Sequence, residues 1–179
     1  MPSDLRWVGT WTTAPAPADG AAFSNHTVRM NVRASIGGDT LRVRLSNAYG
    51  SRKILVGAAG IGLRDTGPGI VVGSDRRLTF GGAETAAIAA GALLVSDPVS
   101  LPLSPLGDLA ISVYLPGDLP ASFGITGRYS RQTNYISPPG DFASVVTMPV
   151  GKLTDDWYFV CGVDVLASRE TGGIVALGD

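Results

Sequence analysis

Cysteine and histidine are almost missing from this sequence, whose 179 residues hold one of each, Cys161 and His26. A single thiol excludes an intrachain disulfide framework and any multi-cysteine metal centre. Cys161 stands in the apolar run "WYFVCGVDV", where a cysteine serves as a small buried hydrophobe. His26 stands in the polar stretch "SNHT" and reads as a surface-loop residue rather than a ligand or base. No apolar run approaches the ~20 residues of a membrane-spanning helix. "MPSDLRWVGTW" enters folded-looking sequence without a charged-then-apolar leader, which suits a cytoplasmic protein or an exported one whose leader has been removed. Neither charge is in excess, with 14 Lys and Arg against 15 Asp and Glu, so no bulk field recruits nucleic acid or an anionic membrane.

Helical periodicity is scarce as well, and strands take its place. Twenty-four glycines and twelve prolines cut the chain into short pieces. In "TLRVRLSN", Leu41, Val43 and Leu45 alternate with Arg42, Arg44 and Ser46, the period-two pattern of a sheet with one wet face. "TVRMNVRAS" repeats it with Val28, Met30 and Val32 inward and Arg29, Asn31 and Arg33 outward. The turn residues of Ile36-Gly37-Gly38-Asp39 predict that the two runs form a hairpin. Further strands are expected at 7–12, 54–63, 77–80, 93–95, 109–115 and 157–166. "ETAAIAAGALL" is the one helix-capable segment, but Gly91 and its strand-like neighbours count against a helix. The loop-rich stretch 137–152 is expected to pack over a sheet end, and "TTAPAPADG" to be an extended surface connector. Many short strands at this spacing predict an all-β sandwich or barrel.

Several residues invite a functional reading, and each has a plainer one. Arg29, Arg33, Arg42 and Arg44, outward on adjacent strands, would form a compact basic face suited to a carboxylate, a phosphate or an acidic partner. The plainer role is a solvated sheet face that discourages edge association. Trp7, Trp11 and Trp157 could stack on sugars, although strand patterns with apolar neighbours favour packing. Asp155, Asp156 and Asp164 read as turn residues and hydrogen-bond acceptors. The glycines of "GAAGIG" miss the dinucleotide-binding spacing, and Asn25-His26-Thr27 matches a glycosylation acceptor, a pattern frequent by chance. No metal or cofactor is implied.

The chain closes on "GIVALGD", four apolar residues and then Gly178-Asp179, the pattern of a strand covered on both faces that delivers a polar residue at its end. Burying Ile174, Val175 and Leu177 would stabilise by roughly 1.5–3 kcal/mol each, which a strand outside the sandwich cannot collect alone. The expected organisation is therefore a β-sandwich over 1–166, a linker over 167–172, and over 173–179 the first strand of a second domain that continues elsewhere. Truncation, a nick at Asp179 and a modified residue directly after it all fit that ending.

Taken in order, "WVGTWTTAPAP", "TVRMNVRASIGGDTLRVRLSNAYGSRKILVGAAGIGL", "RRLTFGG", "VSDPVSL", "LAISVYLP", "RQTNYIS", "WYFVCGVDVLA" and "GGIVALGD" resemble the amino-terminal sandwich of two-domain SGNH (GDSL-type) hydrolases. The likeness spans essentially the whole chain. It implies a jelly-roll-like sandwich before an α/β hydrolase domain, with Gly178 and Asp179 opening the nucleophile block and the catalytic serine directly after Asp179. The family's serine, histidine, histidine-orienting carboxylate and oxyanion donors would all lie beyond this chain. The resemblance thus implies the non-catalytic part of an esterase acting on small esters or acylated carbohydrates, inactive alone. A free-standing carbohydrate-binding module, using aromatic and arginine side chains, is the alternative.

Overall fold

A computed structural model of the chain describes residues 5–17, 22–120, 125–127 and 130–173. The closing segment 174–179, with Gly178 and Asp179, lies outside them. Among the described residues there is no helix, and two open sheets face each other across one core. The five-stranded sheet runs β1 (Leu5–Thr12), β15 (Val160–Ser168), β3 (Gly38–Ser46) and β8 (Leu93–Val95), with β9 (Val99–Leu103) also paired to β3. The six-stranded sheet runs β13 (Lys152–Thr154), β12 (Asn134–Pro139), β2 (Phe23–Arg33), β10 (Asp108–Leu119), β5 (Ala58–Leu63) and β6 (Arg76–Arg77). Two smaller ladders pair β4 (Ile54–Val56) with β7 (Ala86–Ile88), and β11 (Ile125–Gly127) with β14 (Trp157–Tyr158). The architecture is all-β and sandwich-like, in agreement with the strand-rich pattern.

The core is made by the alternation read in the sequence. Val28, Met30 and Val32 of β2 meet Leu41, Val43 and Leu45 of β3, with Ile111, Val113, Val163 and Val165 completing the filling; all are fully buried. Burial of such side chains contributes roughly 1.5–3 kcal/mol each, which is the main stabilising term of the fold.

The expected hairpin between these strands is not formed. β2 pairs with β10 and β12, whereas β3 pairs with β15, β8 and β9. The link crosses from one sheet to the other, and β1 pegs it: Ser35 N–H donates to Thr10 O at 2.9 Å, Ile36 N–H donates to Thr10 Oγ at 3.0 Å, and Thr10 Oγ donates to Ile36 O at 2.7 Å. Two apolar stripes on a hairpin would lie side by side on one surface. On opposed sheets they bury each other, and the crossing distance of ~10 Å suits a short link.

Two expected long strands are interrupted. The 54–63 run breaks at Gly57, whose N–H donates to Tyr114 O at 3.0 Å. The 157–166 run breaks at Phe159, a non-glycine residue at φ 62°. A left-handed residue costs on the order of 1–3 kcal/mol, and burying the Phe159 ring, which is 0 % exposed and packs against Phe23 at 5.8 Å, offsets it. Of the expected 77–80 strand only Arg77 belongs to a strand, β6, which starts at Arg76, and Phe80 forms an isolated bridge to Ala83. The helix-capable segment is strand, turn and strand: β7, a turn with Gly91 at φ 74°, and β8. At the end of the sandwich β15 runs to Ser168, two residues past the expected boundary.

Candidate functional site

The four arginines expected on one basic face are divided between the two sheets. Arg29 is on the outer surface of β2, yet it is 0 % exposed. Segment 140–148 folds over that surface rather than over a sheet end. Thr27 Oγ donates to Gly140 O and accepts from Phe142 N–H, both at 2.9 Å. The Arg29 guanidinium then donates to Pro68 O at 2.5 Å, Val146 O at 3.0 Å and Val145 O at 2.6 Å, and its Nε donates to Ser112 Oγ at 2.8 Å. A fifth, longer contact of 3.5 Å reaches Phe142 O. Burial lowers the Arg29 pKa to about 10, so the side chain stays charged at neutral pH. Its positive charge is met by carbonyl dipoles, the substitute for a counter-ion when the acceptors are numerous and fixed.

Arg42 and Arg44 lie on the outer surface of the five-stranded sheet, beside an aspartate read from the sequence as a hydrogen-bond acceptor. Asp164 of β15 stands opposite Arg42 in the ladder. Its carboxylate accepts from Arg42 Nε at 2.9 Å and lies 3.3 Å from an Arg44 terminal nitrogen. The Asp164 side chain is 7 % exposed and the two arginines about a third exposed. Gly162 makes the arrangement possible, since a Cβ there would stand 2.5 Å from Arg44 Nε. Trp7 closes one side, with the Arg42 guanidinium 4.4 Å from its ring centroid, a cation–π contact. Arg33 is elsewhere, at the end of β2, 3.7 Å from Asp108.

The remaining candidates fall into structural roles. Trp11 and Trp157 pack edge to face at 5.0 Å, and Trp157 Nε1 donates to Asn31 O at 2.9 Å, so neither ring offers an open platform. Asp155 and Asp156 form the turn after β13, where the Asp155 carbonyl accepts from Ser130 N–H at 2.6 Å and Asp156 N–H donates to Thr154 Oγ at 3.1 Å. Burial pushes the Cys161 thiol up to about 11, with Arg44 opposing the shift, so it is protonated at neutral pH. His26 is not in a loop but within β2, next to the left-handed Asn25, and its Nδ1 accepts from Ser24 N–H at 2.8 Å. Ser24 Oγ donates to Asp118 at 2.5 Å rather than to the imidazole, so Ser24, His26 and Asp118 do not make a nucleophile and base pair. Asn25 Oδ1 accepts from Gly117 N–H at 2.8 Å. Among the described residues no group of three His, Cys, Asp or Glu is placed to hold a metal, and no helix is long and apolar enough to cross a membrane.

Beyond β15 the chain turns at Ser168 and runs back beside β1. Thr171 N–H donates to Ser168 O at 3.0 Å, and an Arg6 terminal nitrogen donates to Thr171 O at 2.7 Å. Residues 171–173 therefore border a shallow hollow with Trp7, Gly9 and Ile36. Sequence reasoning found the residues of this region one by one but missed their grouping. The available signal was Asp164, an acidic residue amid the apolar positions of "FVCGVDVLA". No protein-family model matches the chain, and a search of the curated proteins finds no match for it either.

Proposed function

We propose that this chain is the non-catalytic, jelly-roll-like sandwich of a two-domain serine ester hydrolase of the SGNH type. The observation that carries the reading is the course of residues 169–173, which leave β15 and are tied by Arg6 beside a hollow that Trp7, Gly9 and Ile36 also line. A domain continuing from Gly173 would begin at that hollow, next to Trp7 and the Arg42 guanidinium stacked on it, groups that suit a polar intramolecular interface. In this reading Gly178 and Asp179 open the nucleophile block, and the serine attacks an ester carbonyl from the position that follows. The proton-accepting histidine and the oxyanion donors belong to the same continuing domain. The sandwich contributes support, and a cleft wall for a small ester or an acylated carbohydrate.

The occupied tryptophans weigh against the alternative of a free-standing module that grips glycans on aromatic rings. The test is direct: a product of the same gene extending past Asp179 should hydrolyse p-nitrophenyl acetate without added metal, and residues 1–179 alone should not. Serine-type turnover by residues 1–179, or an extended product with no serine after Asp179, overturns the assignment.

A further inference from the structure

Where segment 140–148 covers the six-stranded sheet, it leaves a pocket of about 230 Å³ against β5. Gly57, Ala58 and Gly60 line its base, where Tyr114 and the Ala143 carbonyl stand over the two glycines. Arg77 and Glu84 form one wall and are ion-paired with each other. Asp141 and Ser144 form the other. That second wall is not a loose loop. Asp141 accepts from Ala143 N–H at 3.0 Å, the following carbonyls are held by Arg29, and the turn sits so close to β5 that a Cβ on Gly60 would be 2.7 Å from Ala143 O.

We propose that this pocket binds a single neutral saccharide unit, a use that goes beyond the esterase reading and does not depend on it. The polar groups decide the ligand class. Guanidinium and hydroxyl donors face carboxylate acceptors across a gap, and vicinal hydroxyls, which donate and accept at once, satisfy both sides. An anion would meet Asp75, Glu84 and Asp141 with Arg76 and Arg77 as the opposing cations, and Arg77 is already engaged by Glu84. An apolar ligand would strip water from these charges without replacing it. The volume is below the ~300–1,000 Å³ of sites for larger ligands. A wall held by buried hydrogen bonds reduces the ordering cost of binding.

The test is titration of the ¹⁵N-labelled 179-residue chain with D-galactose, D-xylose, D-mannose and N-acetylglucosamine, alongside D-galacturonate and inorganic phosphate. At least one neutral sugar should shift the amides of Gly57, Ala58, Gly60, Glu84 and Ser144 saturably, with a dissociation constant on the order of millimolar. Galacturonate should bind several-fold more weakly. Ser144→Trp, at an exposed position, should abolish the shifts while the rest of the spectrum stays in place. Three results each overturn the proposal: no saturable shift with any neutral sugar, shifts that survive Ser144→Trp, or tighter binding of galacturonate or phosphate. Esterase activity enters none of these readouts, so this proposal and the hydrolase reading can fail separately.

Discussion

β2 and β3 carry the same written pattern, apolar residues alternating with arginines, and the protein uses their outer surfaces in opposite ways. On β2 the outer surface is roofed by segment 140–148, and Arg29 beneath it holds the roof through carbonyl acceptors. On β3 the outer surface has no such roof; Arg42 and Arg44 stay about a third exposed and share Asp164. The difference shows that arginine in a strand reports which side of the sheet it is on, and not whether that side is wet. A charge can be kept dry where rigid backbone dipoles surround it. A carboxylate partner suffices where solvent still reaches the pair.

The largest expected effect strikes the roofed side. Arg29→Ala leaves several carbonyls buried without donors and opens a cavity, and should lower the unfolding free energy by roughly 3–5 kcal/mol in urea denaturation. Amide exchange should accelerate first in segment 140–148, because that is where the lost bonds were. A cost below about 1 kcal/mol would erase the contrast, since a loss that small is expected of an exposed arginine. Asp164→Ala tests the open side, where solvent screening of the arginines limits the loss to roughly 1–2 kcal/mol. The same urea assay, with sodium chloride added, should show that this loss shrinks with salt and the Arg29 loss does not.

The smallest effect concerns Cys161, whose thiol lies 3.5 Å from the Arg44 carbonyl. Burial raises its folded pKa above the ordinary thiol range, to about 11. The unfolded chain therefore releases the thiol proton first, and stability should fall as pH rises from about 9 to about 11. The Cys161-dependent part is on the order of 1 kcal/mol at about pH 10, read as the difference in thermal midpoint between the wild type and Cys161→Ala. An identical alkaline slope in both would show that the strand beneath Arg44 is wetter than its packing implies.

Much of the framework was legible. The inward residues of β2 and β3 were identified correctly because a period of two with apolar alternates has one economical burial. The strand at 93–95 appeared where turn residues bounded it, and Cys161 is buried as its apolar run predicts. The hairpin failed because turn-forming residues such as Gly37 and Gly38 also suit a link between sheets, and the peg that chooses is Thr10, far away in sequence. The basic face failed for the same kind of reason. Arg29 and Arg44 are indistinguishable by local pattern, and the groups that separate them, Val145 and Val146 against Asp164, come from segments more than a hundred residues distant. Ser24 and Asp118, which fix the surroundings of His26, are likewise joined only by the pairing of β2 with β10.

By itself the sequence determined that this chain folds as strands around an apolar core, because hydrophobic alternation and closely spaced turn residues act over a few neighbours. Tertiary structure alone decided which sheet each strand joins, which arginine is caged and which is paired, and where a pocket forms. Those outcomes depend on hydrogen bonds and ion pairs between residues that only the completed fold brings within reach, and local preference carries no information about them.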